Sequence, residues 1–444
     1  MKLWEKGIQT DLLVEKFTVG KDREMDLYLA EFDVLGTLAH IQMLEKIALL
    51  EKSDLIILSG ELKEIYQQIK EGNFRIEDGV EDVHSQIELM LTRKLGDSGK
   101  KVHSGRSRND QVLLDLKLFT RHYIEEIAIQ VSHLVKTLIK LSEKNKDNLM
   151  PGYTHFQMAT PSSIGLWLGA YAESFTDDLH LLLAAYKMAN QNPLGSAAGY
   201  GSSFPLDRQM TTDLLGFDSM NYNSIYAQMG RGKTERNVAF ALSSIASGLA
   251  KLAMDIVMFM SPNFGFITFP DQFTTGSSIM PHKKNPDVFE LVRAKCNKIA
   301  ALHIEISAII TNLPTGYHRD LQIIKENFIP AFGELYSCMD ISMLLLNNII
   351  VKDNILKNDL YKYIFSVEEV NKKVLEGVPF RDAYKHVASE IQSGRFQPDG
   401  IVHHTHEGSI GNLCNDKIEA KLNNLIASFN FGKVEKAIHE LIQA

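Results

Sequence analysis

The chain has 444 residues, of which 45% are hydrophobic and 23% charged, with a formal net charge of −8. That length buries a large core and suggests two or three domains, while the acidic balance argues against general nucleic-acid or anionic-membrane binding and leaves any anionic ligand to a local basic pocket. Cys296, Cys338 and Cys414 are odd in number and lack metal spacing, Met1–Lys6 carries no signal-type apolar run, and the most membrane-like stretch, Ile299–Asn312, is broken by Glu305; together these fit a cytoplasmic protein.

Apolar periodicity predicts helices over Glu24–Leu50 (one or two), Ser53–Gln68 and Glu81–Leu95, the last stopped by Gly96. Val102-His103-Ser104-Gly105-Arg106-Ser107-Arg108-Asn109-Asp110 follows. Its Ser, Asn and Asp suit a helix N-cap. Its guanidiniums and free backbone N–H groups equally suit an anion site at a positive helix end. Asp110–Met150 contains no Gly or Pro and sets Leu113, Leu116, Ile127, Val131, Leu134 and Leu138 at helical spacing. A helix that long spans roughly 50–60 Å. Pro151-Gly152-Tyr153-Thr154-His155-Phe156-Gln157 then reads as a stiff turn. A loop histidine is ordinarily solvated, but one held beside a threonine suits a positioned general acid or base.

Further long helices are predicted over Pro161–Asn190, Arg231–Met260, Pro286–Thr311 and Asp320–Val351. Five long helices indicate an all-α fold, an elongated central bundle flanked by two smaller, mainly helical domains. The expected boundaries are 1–104 for the N-terminal helical domain, 105–357 for the long-helix bundle and 358–444 for a small C-terminal domain with helices over Glu368–Glu376, Phe380–Ser393 and Lys417–Phe429. Ala241–Met260 is apolar almost all round, so bundles from different subunits are expected to pack together.

Three more segments carry chemistry. Arg231-Gly232-Lys233-Thr234-Glu235-Arg236 reads as a charged helix start. In Thr315–Lys325, Gln322 and Lys325 are three apart and share a helix face that can present an amide and an ammonium to a polar ligand. Gly276-Ser277-Ser278-Ile279-Met280-Pro281-His282-Lys283-Lys284-Asn285-Pro286-Asp287 combines a permissive glycine, stiffening prolines, hydroxyls and cations. That mixture suits a loop closing over a carboxylate. His403, His404 and His406 tempt a metal reading, but only Glu407 accompanies them, and no metal site is assigned.

The Gly-Ser-Ser-x-Met-Pro loop resembles the signature of the fumarase/aspartase superfamily. The Gly-Arg-Ser-Arg-Asn-Asp, Gly-Tyr-Thr-His, Lys-Lys-Asn-Pro-Asp and Tyr-x-x-Asp-Leu-Gln-x-x-Lys segments occur in the order found in argininosuccinate lyases. Glu376–Ala383 resembles that family's C-terminal domain, and the likeness runs from about Asp26 to about Val387. The resemblance implies a homotetramer with active sites shared between subunits. It implies reversible β-elimination of argininosuccinate to arginine and fumarate, with a small-molecule substrate and no nucleic-acid or membrane partner. By matching position, Ser277 is the base and His155 serves the departing guanidinium. Glu290 orients His155, and Lys283 and Asn285 hold the carboxylate that takes up charge. Arg108, Asn109, Thr154, Tyr317, Gln322 and Lys325 bind substrate, with Arg236 and His84 close to the site. No step calls for a metal, flavin or nicotinamide, and no cofactor is expected. Helix length adds a point of its own. Arg108 and Asn109 precede the first long helix and His155 follows it, so one chain cannot bring them together.

Some residues depart from the family pattern. Leu3-Trp4 is followed by Glu5-Lys6-Gly7-Ile8 rather than Gly-Gly-Arg-Phe. Gly20 replaces a substrate-contacting serine, Glu235 an aspartate, and His282 a glutamine. The Pro-His-Lys form is common in adenylosuccinate lyases, which stay as the alternative, together with another fumarate-releasing lyase or a crystallin-like structural relative. The tail beyond about Ser393 also departs from the pattern.

Overall fold

The computed structural model describes residues 11–443; the Leu3-Trp4 opening lies outside the described residues. Leu12–Val19 (α1) and a short turn at Asp22–Asp26 lead into Ala30–Lys46 (α2), Lys52–Lys70 (α3) and Val83–Leu95 (α4). Asp82 caps α4 by accepting the Ser85 N–H at 2.8 Å, and Gly96, at φ 58°, ends it. Glu24–Leu50 therefore breaks into two helical pieces, and α1 was not apparent from periodicity.

The five long helices are Arg108–Lys144 (α5), Ile164–Ala189 (α6), Lys233–Met260 (α7), Asp287–Ile310 (α8) and Lys325–Leu346 (α9). Three of the starts have a local cause. Ser107 and Asp110 form a reciprocal capping box on α5. Ser163 accepts the Leu166 N–H at the start of α6. Glu235, at the third position of α7, reaches back to the Gly232 N–H at 2.8 Å, as Asp110 does to Ser107 on α5. Their inner faces share one continuous core with Phe119, Leu134, Phe175, Leu242, Leu249, Phe328 and Leu335.

Helix α5 stops at Lys144, short of the Met150 expected. Leu149–Thr154 (β1) and Gln157–Ser163 (β2) form an antiparallel hairpin there, pairing Leu149 with Ser163 and Thr154 with Gln157. The start of α6 lies on the end of α5: Gly165 N–H donates to Asn145 O at 3.1 Å and Ser142 Oγ to Gly165 O at 2.7 Å. A Cβ on Gly165 would sit 2.6 Å from Lys146 Cα and Ser142 O. Gly165→Ala is accordingly expected to cost about 1–3 kcal/mol of stability through overpacking against backbone, read by denaturant unfolding.

The most membrane-like segments prove to be Lys233–Met260 and Arg319–Leu346 rather than Ile299–Asn312. Half or more of each window is buried inside the protein (56% and 50%), so their apolar character belongs to core packing. In the C-terminal part, Ser366–Leu375 (α10) and Phe380–Gln392 (α11) enclose a small satellite core of Val370, Ala383, Val387 and Phe396. Asn415–Ala427 (α12) and Phe431–Gln443 (α13) return to the bundle, where Leu422, Leu425 and Phe429 join the main core. Asn415 donates to Ser142 Oγ and Glu143 Oε1 on α5.

Candidate active site

At the N-terminal end of α5 lies a cavity of about 230 Å³ lined by Asp22, Asp26, Glu81, Asp82, His84, Arg108, Asn109, Val112, Arg231, Tyr317, Arg319, Gln322 and Lys325. Six residues singled out from the sequence meet here: His84, Arg108, Asn109, Tyr317, Gln322 and Lys325. Capping places Arg108 and Asn109 in the first turn of α5. Asp110 then accepts N–H groups from Ser107, Gly195 and Ala197, tying the 193–199 loop to that helix end. Burial pushes the Asp110 carboxyl up to about 6, against those backbone donors.

The cavity is not simply basic. Arg108 pairs with Glu81 and Asp82, each at 3.1 Å, and donates to Ser85 Oγ at 2.9 Å. Arg319 bonds Glu81 at 3.0 Å and Gln322 at 3.1 Å. Gln322 donates to the Thr18 carbonyl at the end of α1. Buried Lys325 pairs with Asp22 and with Asp26, the latter at 2.5 Å. Burial would lower the Lys325 ammonium, but the Asp26 and Asp22 charges outweigh it and raise its pKa. Burial lifts Asp22 to about 6 even against Lys325. Removing one partner of a buried pair typically costs about 3–5 kcal/mol. Lys325→Met is expected to destabilise the fold by that order at high pH, and by less as the pH falls toward 6, because without Lys325 the Asp22 carboxyl takes up its proton above that value; chemical unfolding at two pH values reads it.

Asp22, Asp26, Glu81, Asp82, Arg231 and Arg319 were missed from the sequence. Asp82 carries the signal of a helix cap, and Asp22 that of a first-turn acid. Arg231 reads as part of a charged helix start, yet it is buried, pairs with Glu235 at 3.1 Å and donates to the Leu321 carbonyl. Arg236 does not line the cavity; its guanidinium contacts Asn237 Oδ1 at 3.4 Å. Gly20, where the family has a serine, closes α1 at φ 52° with its N–H on Lys16 O. A serine in that left-handed backbone would be strained by about 1–2 kcal/mol.

Thr154 and His155 lie elsewhere. His155 and Phe156 form the two-residue turn of the hairpin, both with positive φ (52° and 59°). A turn of this kind favours Asn and Gly, so two L-residues held left-handed here carry backbone strain. His155 is exposed. Tyr153 and Phe156 pack on Phe264, just beyond the C-terminus of α7.

Ser277, Lys283 and Asn285 occupy the loop leading into α8. Thr275 and Asn285 pair across its neck through reciprocal backbone bonds, Asn285 Nδ2 donates to the Gly276 carbonyl at 3.2 Å, and Lys284 pairs with Asp271. Ser277 Oγ accepts the N–H groups of Ile279 and Met280 at 3.3 and 3.1 Å. Glu290 is exposed on the first turn of α8. Helix α7 starts beside the cavity, where Arg231 lines it, and ends at the hairpin. Helix α8 runs back, so that Ile310 reaches Gly232. The 28 residues of α7 thus separate the Ser277 and His155 end from the cavity by about 40 Å.

The C-terminal histidines are engaged locally. His404 Nε2 meets Glu368 Oε1 at 3.2 Å and His406 Nδ1 meets the Glu407 carbonyl at 3.1 Å.

The family described as Lyase matches residues 5–301. The argininosuccinate lyases of Bacteroides thetaiotaomicron and Parabacteroides distasonis are each 64% identical over 441 residues, covering 99% of this chain and 99% of the relative. That of Stenotrophomonas maltophilia is 38% identical over 94% of this chain and 98% of its own. Among solved structures, an EDDS lyase in complex with formate superposes with a TM-score of 0.74 at 21% identity, covering 97% of this chain and 93% of that one. A fumarate lyase:delta crystallin from Brucella melitensis gives 0.71 at 15% identity, covering 92% and 91%. These two establish the helical-bundle fold, and the close relatives establish more: the chain belongs to the argininosuccinate lyase family.

Proposed function

We propose that the chain cleaves argininosuccinate reversibly to arginine and fumarate, as a step of arginine biosynthesis in the cytoplasm. The observation that carries this reading is the composition of the cavity. Four carboxylates (Asp22, Asp26, Glu81, Asp82) interleave with Arg108, Arg231, Arg319, Lys325 and His84. A substrate bearing carboxylates, an ammonium and a guanidinium can exchange with both sets of charges. A substrate built around a phosphate would favour a purely cationic pocket. In this reading Arg108, Asn109, Tyr317, Gln322 and Lys325 bind substrate beside His84, and Thr154 and Arg236 complete the set.

The chemistry follows from the acidity of a Cβ proton next to a carboxylate. Its removal builds a dianionic aci-carboxylate, and groups aimed at that charge stabilise the transition state more than the substrate. Ser277 takes the proton, with Ile279 and Met280 amides favouring its alkoxide. Lys283 and Asn285 hold the carboxylate that receives the charge. As the C–N bond breaks, His155, oriented by Glu290, serves the departing guanidinium with a proton. The electron pair of the C–H bond becomes the fumarate double bond.

Because both groups of residues sit at opposite ends of the bundle, a complete site needs chains packed antiparallel. Ile129, Phe240, Met254, Leu291 and Ile304 are each more than 40% exposed on the long helices, an apolar surface suited to partners of the same kind. A homotetramer with shared sites satisfies both requirements. The direct test of the reaction is product stoichiometry: argininosuccinate should yield fumarate and arginine in equal amounts. Consumption of argininosuccinate without fumarate would refute the reading.

A further inference from the structure

His84 stands where the cavity meets a buried ionic cluster. It is carried by α4, Asp33 by α2 and Asp115 by α5, and the three are 6%, 2% and 0% exposed. His84 Nδ1 lies 2.8 Å from Asp33 Oδ1 and 3.5 Å from Asp115 Oδ2. Two carboxylates facing one ring nitrogen require that nitrogen to carry its proton. Among the described residues no protein group bonds Nε2, and His84 lines the cavity beside Arg108 and Lys325. Gln111 Nε2 adds a 3.4 Å contact to Asp33 Oδ1. Neither Asp115 oxygen has a hydrogen bond, an arrangement that burial tolerates only beside compensating positive charge.

We propose that Asp33 and Asp115 are positioning residues that keep His84 a fixed imidazolium, whose Nε2–H binds a carboxylate of the succinyl half of the substrate. The assignment of that carboxylate rests on the lyase reading. Asp33 Oδ1 holds the ring, and Asp115 Oδ2 faces the same nitrogen at longer range. Around the ring stand Asp33 from α2, Asp82 ahead of α4, Asp115 from α5, Asp26 from the turn before α2, and Arg106 and His103 from the segment before α5. Burial alone would lower the His84 pKa; the Asp33 charge and hydrogen bond, then Asp115 and Asp82, reverse this and hold it up at about 10. Asp33 is kept low, its burial offset by His84 and Arg106, while burial and Asp33 push Asp115 up. An ordinary histidine loses its charge near pH 6.5. This one stays charged throughout the neutral range, and charge-assisted donors are the stronger carboxylate ligands.

The test is succinate binding to the full-length oligomer, measured by calorimetry between about pH 7 and pH 9 in wild type, Asp33→Asn and Asp115→Asn. Wild type should bind with little pH dependence. Asp33→Asn keeps a hydrogen-bond acceptor but loses the charge, so its affinity should fall by up to about tenfold per pH unit once His84 deprotonates. Asp115→Asn should show the same trend, more weakly, and His84→Gln should bind weakly at every pH. A uniform loss at all pH values in Asp33→Asn would indicate a merely structural role and overturn the proposal, as would wild type that binds no succinate. Stoichiometric divalent metal in the purified protein, lost in Asp33→Asn, would also overturn it, since the three ligand atoms lie within 4.8 Å of one another. Fumarate release by wild type is scored separately. Its absence alone would refute the lyase reading and leave the succinate result to decide the imidazolium.

Discussion

Ser277→Ala is expected to lower kcat for argininosuccinate cleavage by about 10²–10⁴-fold, the usual contribution of a positioned acid or base, with KM little changed. The serine hydroxyl is a poor base by itself. It sits in a loop whose neck is tied by Thr275 and Asn285, and it already accepts two backbone N–H groups. Those donors favour the oxyanion over the hydroxyl. Loss of proton abstraction removes stabilisation made in the transition state alone, which lowers kcat rather than binding. Ser277 is only half-buried in a loop, so the variant should fold and assemble as wild type does. Ser278→Ala is the control. Its neighbouring hydroxyl is exposed and should cost far less. Equal losses in both variants would mean that the loop, not one hydroxyl, is at stake.

The second large effect concerns assembly. Arg108→Ala should weaken catalysis by about 10–100-fold through loss of charged hydrogen bonds, and His155→Asn by about 10²–10⁴-fold. Mixed after dissociation and allowed to reassociate, the two impaired parents should give clearly more activity than either alone, because hybrid oligomers contain some sites with neither lesion. The reason is the length of the rigid helices between the two residues. Helix α5 alone has 37 residues, about 55 Å. Parents that never regain activity on mixing would require each chain to act alone.

Much of this arrangement could be read from residue patterns. The five long helices were legible because their apolar periodicity is uninterrupted: α6, α7 and α8 begin and end within about three residues of where apolar spacing places them. The hairpin was not legible. Pro151 and Pro161 face each other across its strands, and proline argues against strand in a short segment; pairing here depends on the tertiary setting between α5 and α6. Helix α13 was missed although it covers the bundle near Tyr186, whose ring packs on Phe429 and Phe431. In the site, Arg108, Asn109, Gln322 and Lys325 stood out because loops rarely concentrate Arg, Asn, Gln and Lys without cause. Their acidic partners did not, since an aspartate at a helix start has the same local signal whether it caps the helix or holds a ligand-binding lysine. Asp33 and Asp115 were hidden differently, each spaced among apolar residues on a buried helix face. One departure also acquires a physical reason: Gly20 suits a left-handed backbone.

The most direct test of the account is fumarate release, followed by ultraviolet absorbance, with argininosuccinate and adenylosuccinate offered separately to the same preparation. The account predicts a signal with argininosuccinate alone, abolished in Ser277→Ala. A signal only with adenylosuccinate would contradict it, and would mean that His282 and Gly20 report the substrate better than the mixed-charge cavity does.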